Sequence, residues 1–182
     1  MPDVFIEHNL DEWLRLLKIL PEQMRIKAIT PVSKQIGREL MRRFQRTVQT
    51  WRHRPRFEVL EEVGPNQVSV LAGTDDEIYN YVDKGTRPHI IEPKGTGYPL
   101  RFQSMYQAKT IPGVIGSQQG GPSGPYVGAY RVRHPGTRAR RFTEVIFKEV
   151  EPMGWRLLTR LIHKVVVENV RRVARNGPQG GR

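Results

Sequence analysis

Two short words hold the residue types in this chain best able to recognise another molecule. They are Gly85-Thr86-Arg87-Pro88-His89 and His134-Pro135-Gly136-Thr137-Arg138, the second running on into Ala139-Arg140-Arg141-Phe142. Glycine and proline fix a turn, and an arginine held by such a turn loses little freedom when it pairs with a carboxylate or phosphate. Arg87, His89, His134, Arg138, Arg140 and Arg141 are therefore the candidate docking residues. The competing reading for Arg87 and Arg138 is an internal ion pair with Asp83 or Glu92. The two imidazoles could sense pH or hold an ion. The simpler reading hydrogen-bonds each ring to a loop carbonyl.

Reactive chemistry is thin elsewhere. His8, His53 and His163 stand at no metal-ligand spacing with another histidine. No nucleotide-type glycine loop is present. Asp75-Asp76-Glu77 reads as an acidic turn capping a following helix, in preference to a metal cluster. A hydrolase using His89 or His134 with Asp75 or Asp76 would need a pocket joining them, and no nucleophile–base pair is legible. The expectation is a protein that is not an enzyme and uses no cofactor and no metal.

The 182 residues carry 30 Lys+Arg against 18 Asp+Glu, a net charge of +12. A surplus of that size favours acidic partners such as DNA or an acidic protein. It gathers over 38–56, 131–141 and 171–182. Arg38, Arg42, Arg43, Arg46, Arg131 and Arg133 are the candidate contacts to DNA or an acidic partner, against the alternative of solvated helix faces. No module that reads base sequence is legible, so such binding would be sequence-independent. There is no cysteine, which suits a reducing cytoplasm. No apolar run reaches the roughly 20 residues of a membrane span, and the first residues lack the pattern of a signal peptide.

Periodicity supplies the elements that must position these groups. Trp13, Leu14, Leu16, Leu17 and Leu20 predict a short helix over 11–20. Met24, Ala28, Val32, Ile36, Leu40, Phe44 and Val48 recur every fourth residue and predict a helix over 22–50, kinked or broken at Pro31 with Thr30 capping its second half. Lys34 and the arginines from 38 to 46 line the other face. Residues 57–63 and 67–72 alternate as a hairpin about Gly64-Pro65-Asn66. Residues 78–82 are helix or strand. Ile90-Ile91, residues 100–102 and residues 130–133 read as short strands. The Gly/Pro/Gln-rich stretch 113–128 reads as a mobile loop, because its composition buries little. Phe142, Val145 and Ile146 begin a helix that Pro152 should restart, with Trp155, Leu158, Ile162, Val165, Val166, Val170 and Val173 as its stripe. A disordered tail follows over 177–182. Helices, then strands, then helices predict one α+β domain over 1–176, with a mostly antiparallel sheet packed with the two end helices.

The middle of the chain also resembles a known family. Tyr79 to Lys84, Gly85-Thr86-Arg87-Pro88-His89, Ile91, Pro93-Lys94, Leu100-Arg101-Phe102, Val132 to Ala139 and Phe142 occur in the order found in the tail-completion (neck, or minor tail component) proteins of long-tailed bacteriophages. Asp83 stands where that family more often has Glu, and the 113–128 stretch is longer and richer in glycine. The resemblance implies a structural protein of the virion, assembled in the host cytoplasm. It implies a homo-oligomeric ring, hexameric or dodecameric, that joins connector or stopper proteins to a tail terminator or tail tube and lets genomic DNA through. The rival class is a free, sequence-independent nucleic-acid-binding protein.

Overall fold

A computed structural model describes residues 22–63, 68–95, 97–116 and 118–175. The expected helix over 11–20, the turn at 64–66 and the tail over 177–182 lie outside the described residues. The elements in order are α1 (Glu22–Thr47), β1 (Glu58–Val63), β2 (Val68–Gly73), α2 (Glu77–Lys84), β3 (His89–Ile91), β4 (Leu100–Gln107), β5 (Gly121–Ala129), β6 (Val132–His134) and α3 (Phe142–Arg175). The architecture is α+β. Among the described residues the strands form three two-stranded ribbons, β1–β2, β3–β6 and β4–β5, the last two antiparallel.

The chain divides into two compact units. One holds Leu40–Glu58 and Ala72–Phe147. Its centre is a cluster of aromatic rings. Tyr79 stands edge-on to Phe57 at 5.1 Å, Phe57 stacks on Phe44 at 5.3 Å, and Phe142 lies 5.9 Å from Tyr79. Leu40, Phe44, Tyr79, Phe142 and Ile146 are buried, each worth roughly 1.5–3 kcal/mol. Thr47 Oγ1 donates to the Phe44 carbonyl at 2.7 Å and lies 3.5 Å from the Tyr79 hydroxyl, whose proton it can accept. The described part of the other unit comprises 22–39, 59–63, 68–71 and 148–175, with Ile29, Val32, Val150 and Ile162 buried. There the buried Ser33 hydroxyl lies 2.9 Å from the Thr30 carbonyl and 3.4 Å from Glu61 Oε2.

Neither proline breaks its helix: α1 runs through Pro31 and α3 through Pro152, which overturns the restart expected at Pro152 and leaves the kink as the form of the expectation at Pro31. A proline removes one helical hydrogen bond at a cost of about 3 kcal/mol. Burial of Ile29, Val32 and Ser33 around the first, and of Val150 and Gly154 around the second, offsets it. Thr30 is no cap: its hydroxyl donates back to the Ile26 carbonyl at 2.7 Å.

The segment 78–82 is helical. Asp76 caps α2, its Oδ1 accepting from the Tyr79 N–H at 2.7 Å, as the acidic-turn reading anticipates. Thr74 sets the turn, accepting from the Asp76 N–H and donating to the Arg56 carbonyl.

The loop reading of 113–128 is overturned over its second half. Residues 121–128 belong to β5, paired with β4 from Leu100↔Ala129 to Gln107↔Gly121. Antiparallel pairing draws on backbone groups, so a run poor in apolar side chains can still form a strand. A register shift between Gln103 and Met105 places the extra β5 residue by Gly124, whose φ of +80° suits a glycine bulge. The start of the stretch is tied down too. Gly113 N–H donates to the Arg140 carbonyl at 2.8 Å, Gln118 N–H to the Lys109 carbonyl at 2.8 Å, and Lys109 Nζ to the Thr50 carbonyl at 3.1 Å.

Candidate functional site

The two words bind each other. Thr86 and Thr137 exchange backbone bonds of 2.9 and 3.2 Å, and the Thr137 N–H also lies 2.9 Å from Thr86 Oγ1. The same register continues to His89↔His134 and on into the β3–β6 ribbon. Pro88 and Pro135 therefore fall opposite each other, and neither has an N–H to donate, so the ladder is interrupted between the threonine bridge and the ribbon. Sequence reasoning found both words and missed their pairing. The signal was present: written backwards, the second becomes Arg-Thr-Gly-Pro-His, which matches the first at threonine, proline and histidine. A reversed repeat is what antiparallel pairing of like residues requires.

Each copy needs its glycine where the other copy presses closest. Gly85 has φ +77° and Gly136 has φ +85°, a region that L side chains rarely adopt. A Cβ on Gly85 would stand 2.7 Å from the Thr137 carbonyl oxygen and 2.8 Å from the Ala139 nitrogen. One on Gly136 would overlap the Thr86 carbonyl oxygen. These glycines are packing devices as well as turn devices.

The pairing brings the imidazoles together, with ring centroids 4.9 Å apart and planes at 37°. The loop-carbonyl reading holds for one of them. His89 Nδ1 lies 2.9 Å from the Arg87 carbonyl, which fixes its proton on Nδ1. His134 does the reverse: its Nδ1 accepts from the Gly136 N–H at 3.1 Å and is bare. The hydrogen bonds thus assign different tautomers to the two rings.

Asp83 anchors the far side of the second word. Its carboxylate is buried and takes the Thr143 N–H at 3.2 Å and the Thr143 hydroxyl at 2.6 Å, capping α3 from a distant helix. Its carbonyl accepts from the N–H groups of Arg140 and Arg141 at 3.1 and 3.0 Å. Arg141, at φ +55°, makes the turn into α3 and lies 3.8 Å from Glu144. Arg140 is engaged internally, with Nε donating to Thr110 Oγ1 at 3.1 Å and Nη1 to the Arg138 carbonyl at 3.0 Å.

Arg87 and Arg138 differ from these. Both are exposed, and among the described residues neither side chain forms an ion pair. The internal-pair reading fails because its acceptors are taken, Asp83 by Thr143 and Glu92 by Arg131 at 3.3 Å. Of the other cations, Arg38, Arg42 and Arg46 are exposed along α1, Arg43 is half-buried, and Arg133 is exposed opposite Ile90. Among the described residues no group of three or more His, Cys, Asp or Glu side chains could hold a metal ion, and no helix is long and apolar enough to cross a membrane.

The arrangement is a rigid, two-copy turn that holds two cations outward beside a histidine pair. Comparison with family models, curated proteins and solved structures finds no match to this chain.

Proposed function

We propose that the protein is a structural component of a phage neck, forming a ring that joins head connector to tail and leaves a passage for DNA. The paired turn carries this reading. Two backbone bonds, two required glycines and two opposed prolines pre-organise Arg87 and Arg138, so little ordering cost remains when they meet an acidic surface on the adjoining ring. The family resemblance supplies the setting. A closed ring needs complementary patches on opposite flanks of each protomer.

The test is the double charge reversal Arg87→Glu with Arg138→Glu. Both side chains are exposed, so the fold should survive, and heads and tails should accumulate unjoined. Normal joining by such particles would remove the turn from any docking role. Arg140 is unsuited to this test, because its guanidinium braces Thr110 and the Arg138 carbonyl.

A second reading rests on Arg38, Arg42 and Arg46, exposed at intervals of four on α1. It makes the chain a sequence-independent nucleic-acid binder. The isolated chain would then bind duplex DNA with an affinity that falls steeply as salt rises. Absence of binding at low salt eliminates it.

A further inference from the structure

The cationic turn leaves one large surface without a role, the β4–β5 ribbon. Over 95–130 the only charged residues are Arg101 and Lys109, in a chain of net charge +12. Directly opposed residues share a face of a ribbon. Leu100 opposes Ala129, Phe102 opposes Val127 and Tyr106 opposes Pro122, so one face is apolar but for Ser104, while Tyr126, opposite Gln103, lies on the other face. Tyr98, Tyr106, Tyr126 and Tyr130 are 64 to 84 % exposed. A two-stranded ribbon with its apolar side chains in water is marginal by itself.

Its two edges are unlike. β5 carries Pro122, Pro125 and the bulge, devices that blunt an edge against pairing. β4 has no proline, no lysine and a single charge, Arg101. Among the described residues its backbone bonds only to β5, so half of its N–H and C=O groups point away unpaired.

We infer that this ribbon is where one copy of the chain meets a second copy, which closes over the open β4 edge and the face that carries Leu100, Phe102 and Tyr106. Charge selects the occupant. Nucleic acid or an acidic protein is drawn to cations, of which this stretch has only Arg101 and Lys109, the latter bonded to the Thr50 carbonyl. Two copies of net charge +12 repel each other, and a ribbon with a single charge is where they approach at least electrostatic cost. The inference rests on the ring reading above and divides its labour: the ribbon joins copies, and the paired turn faces the acidic neighbour.

The experiment uses the full chain in sedimentation velocity over a wide concentration range, with hydrogen exchange on the same samples. Wild type should self-associate, and the amides over 101–107 should gain protection as it does. Tyr106→Lys, on the apolar face of β4, should weaken association at least about tenfold while leaving the circular-dichroism melt unchanged. Arg87→Glu with Arg138→Glu should self-associate like wild type. A wild-type chain that stays monomeric at the highest concentration overturns the inference. So does a lysine variant that assembles normally, or protection that arises elsewhere. None of these results touches the joining assay, which judges the neck reading separately.

Discussion

Gly136→Ala is the sharpest probe of the paired turn. The new methyl group would sit at φ +85° and overlap the Thr86 carbonyl oxygen, with the Arg87 carbonyl carbon 2.9 Å away. A non-glycine residue in this region costs about 1–2 kcal/mol. Relief of the overlap must separate the two words, and the mutual Thr86–Thr137 bonds of 2.9 and 3.2 Å are the first to go. Each is worth about 1 kcal/mol net. The sum is about 3–4 kcal/mol, a large share of the 5–15 kcal/mol that holds a typical protein folded. Since the chain has two compact units, a single melting temperature would blur the effect. Native-state hydrogen exchange locates it: the Thr86 and Thr137 amides should exchange on the order of a hundredfold faster. Gly95→Ala is the control, since a Cβ there meets nothing within 4 Å. If Gly136→Ala leaves both amides as protected as in wild type, the argument from close approach is wrong.

Two further outcomes concern titration. Burial pushes the Asp76 carboxyl up, but hydrogen bonds from His53 and the Tyr79 N–H outweigh it and leave the group below its ordinary value of 3.8. Its contribution is then complete above that value and lost as pH falls below it. Asp76→Ala should cost about 1 kcal/mol at neutral pH and lessen acid sensitivity below about pH 4 in urea titrations; an acid limb as steep as wild type would refute the assignment. Burial raises the Tyr79 phenol well above its ordinary value of 10.0, so its contribution is present below pH 10.0 and lost as pH rises beyond it. Tyr79→Phe should flatten the alkaline limb and cost about 1 kcal/mol at pH 7 through the lost hydroxyl bond. A variant as alkali-sensitive as wild type would count against this.

The helices were legible because their stripes repeat over many turns. Val32, Leu40, Phe44 and Val48 are buried as the four-residue spacing predicts. Pro31 and Pro152 misled because local rules carry no knowledge of the packing that holds a helix together across a missing bond. β5 was illegible because Gly121-Pro122-Ser123-Gly124-Pro125 has the composition of a loop, and only the facing strand makes it a strand. Both halves of the candidate site could be read, but their meeting could not. That depends on pairing across 51 positions, from Thr86 to Thr137, and only the reversed word order hinted at it.

The Thr86–Thr137 contact returns the chain to the place it left. Residues 87–136 thus form an excursion whose two feet stand side by side, tied again to the base at 109–118 through Thr50 and Arg140, and the length of its free parts weighs little on the fold, since closure entropy grows only slowly with the number of residues enclosed. Segments built this way tolerate lengthening, trimming and exchange of their tips while the base stays put. A lineage of such proteins would keep the clasp and the aromatic cluster and vary what the clasp holds out.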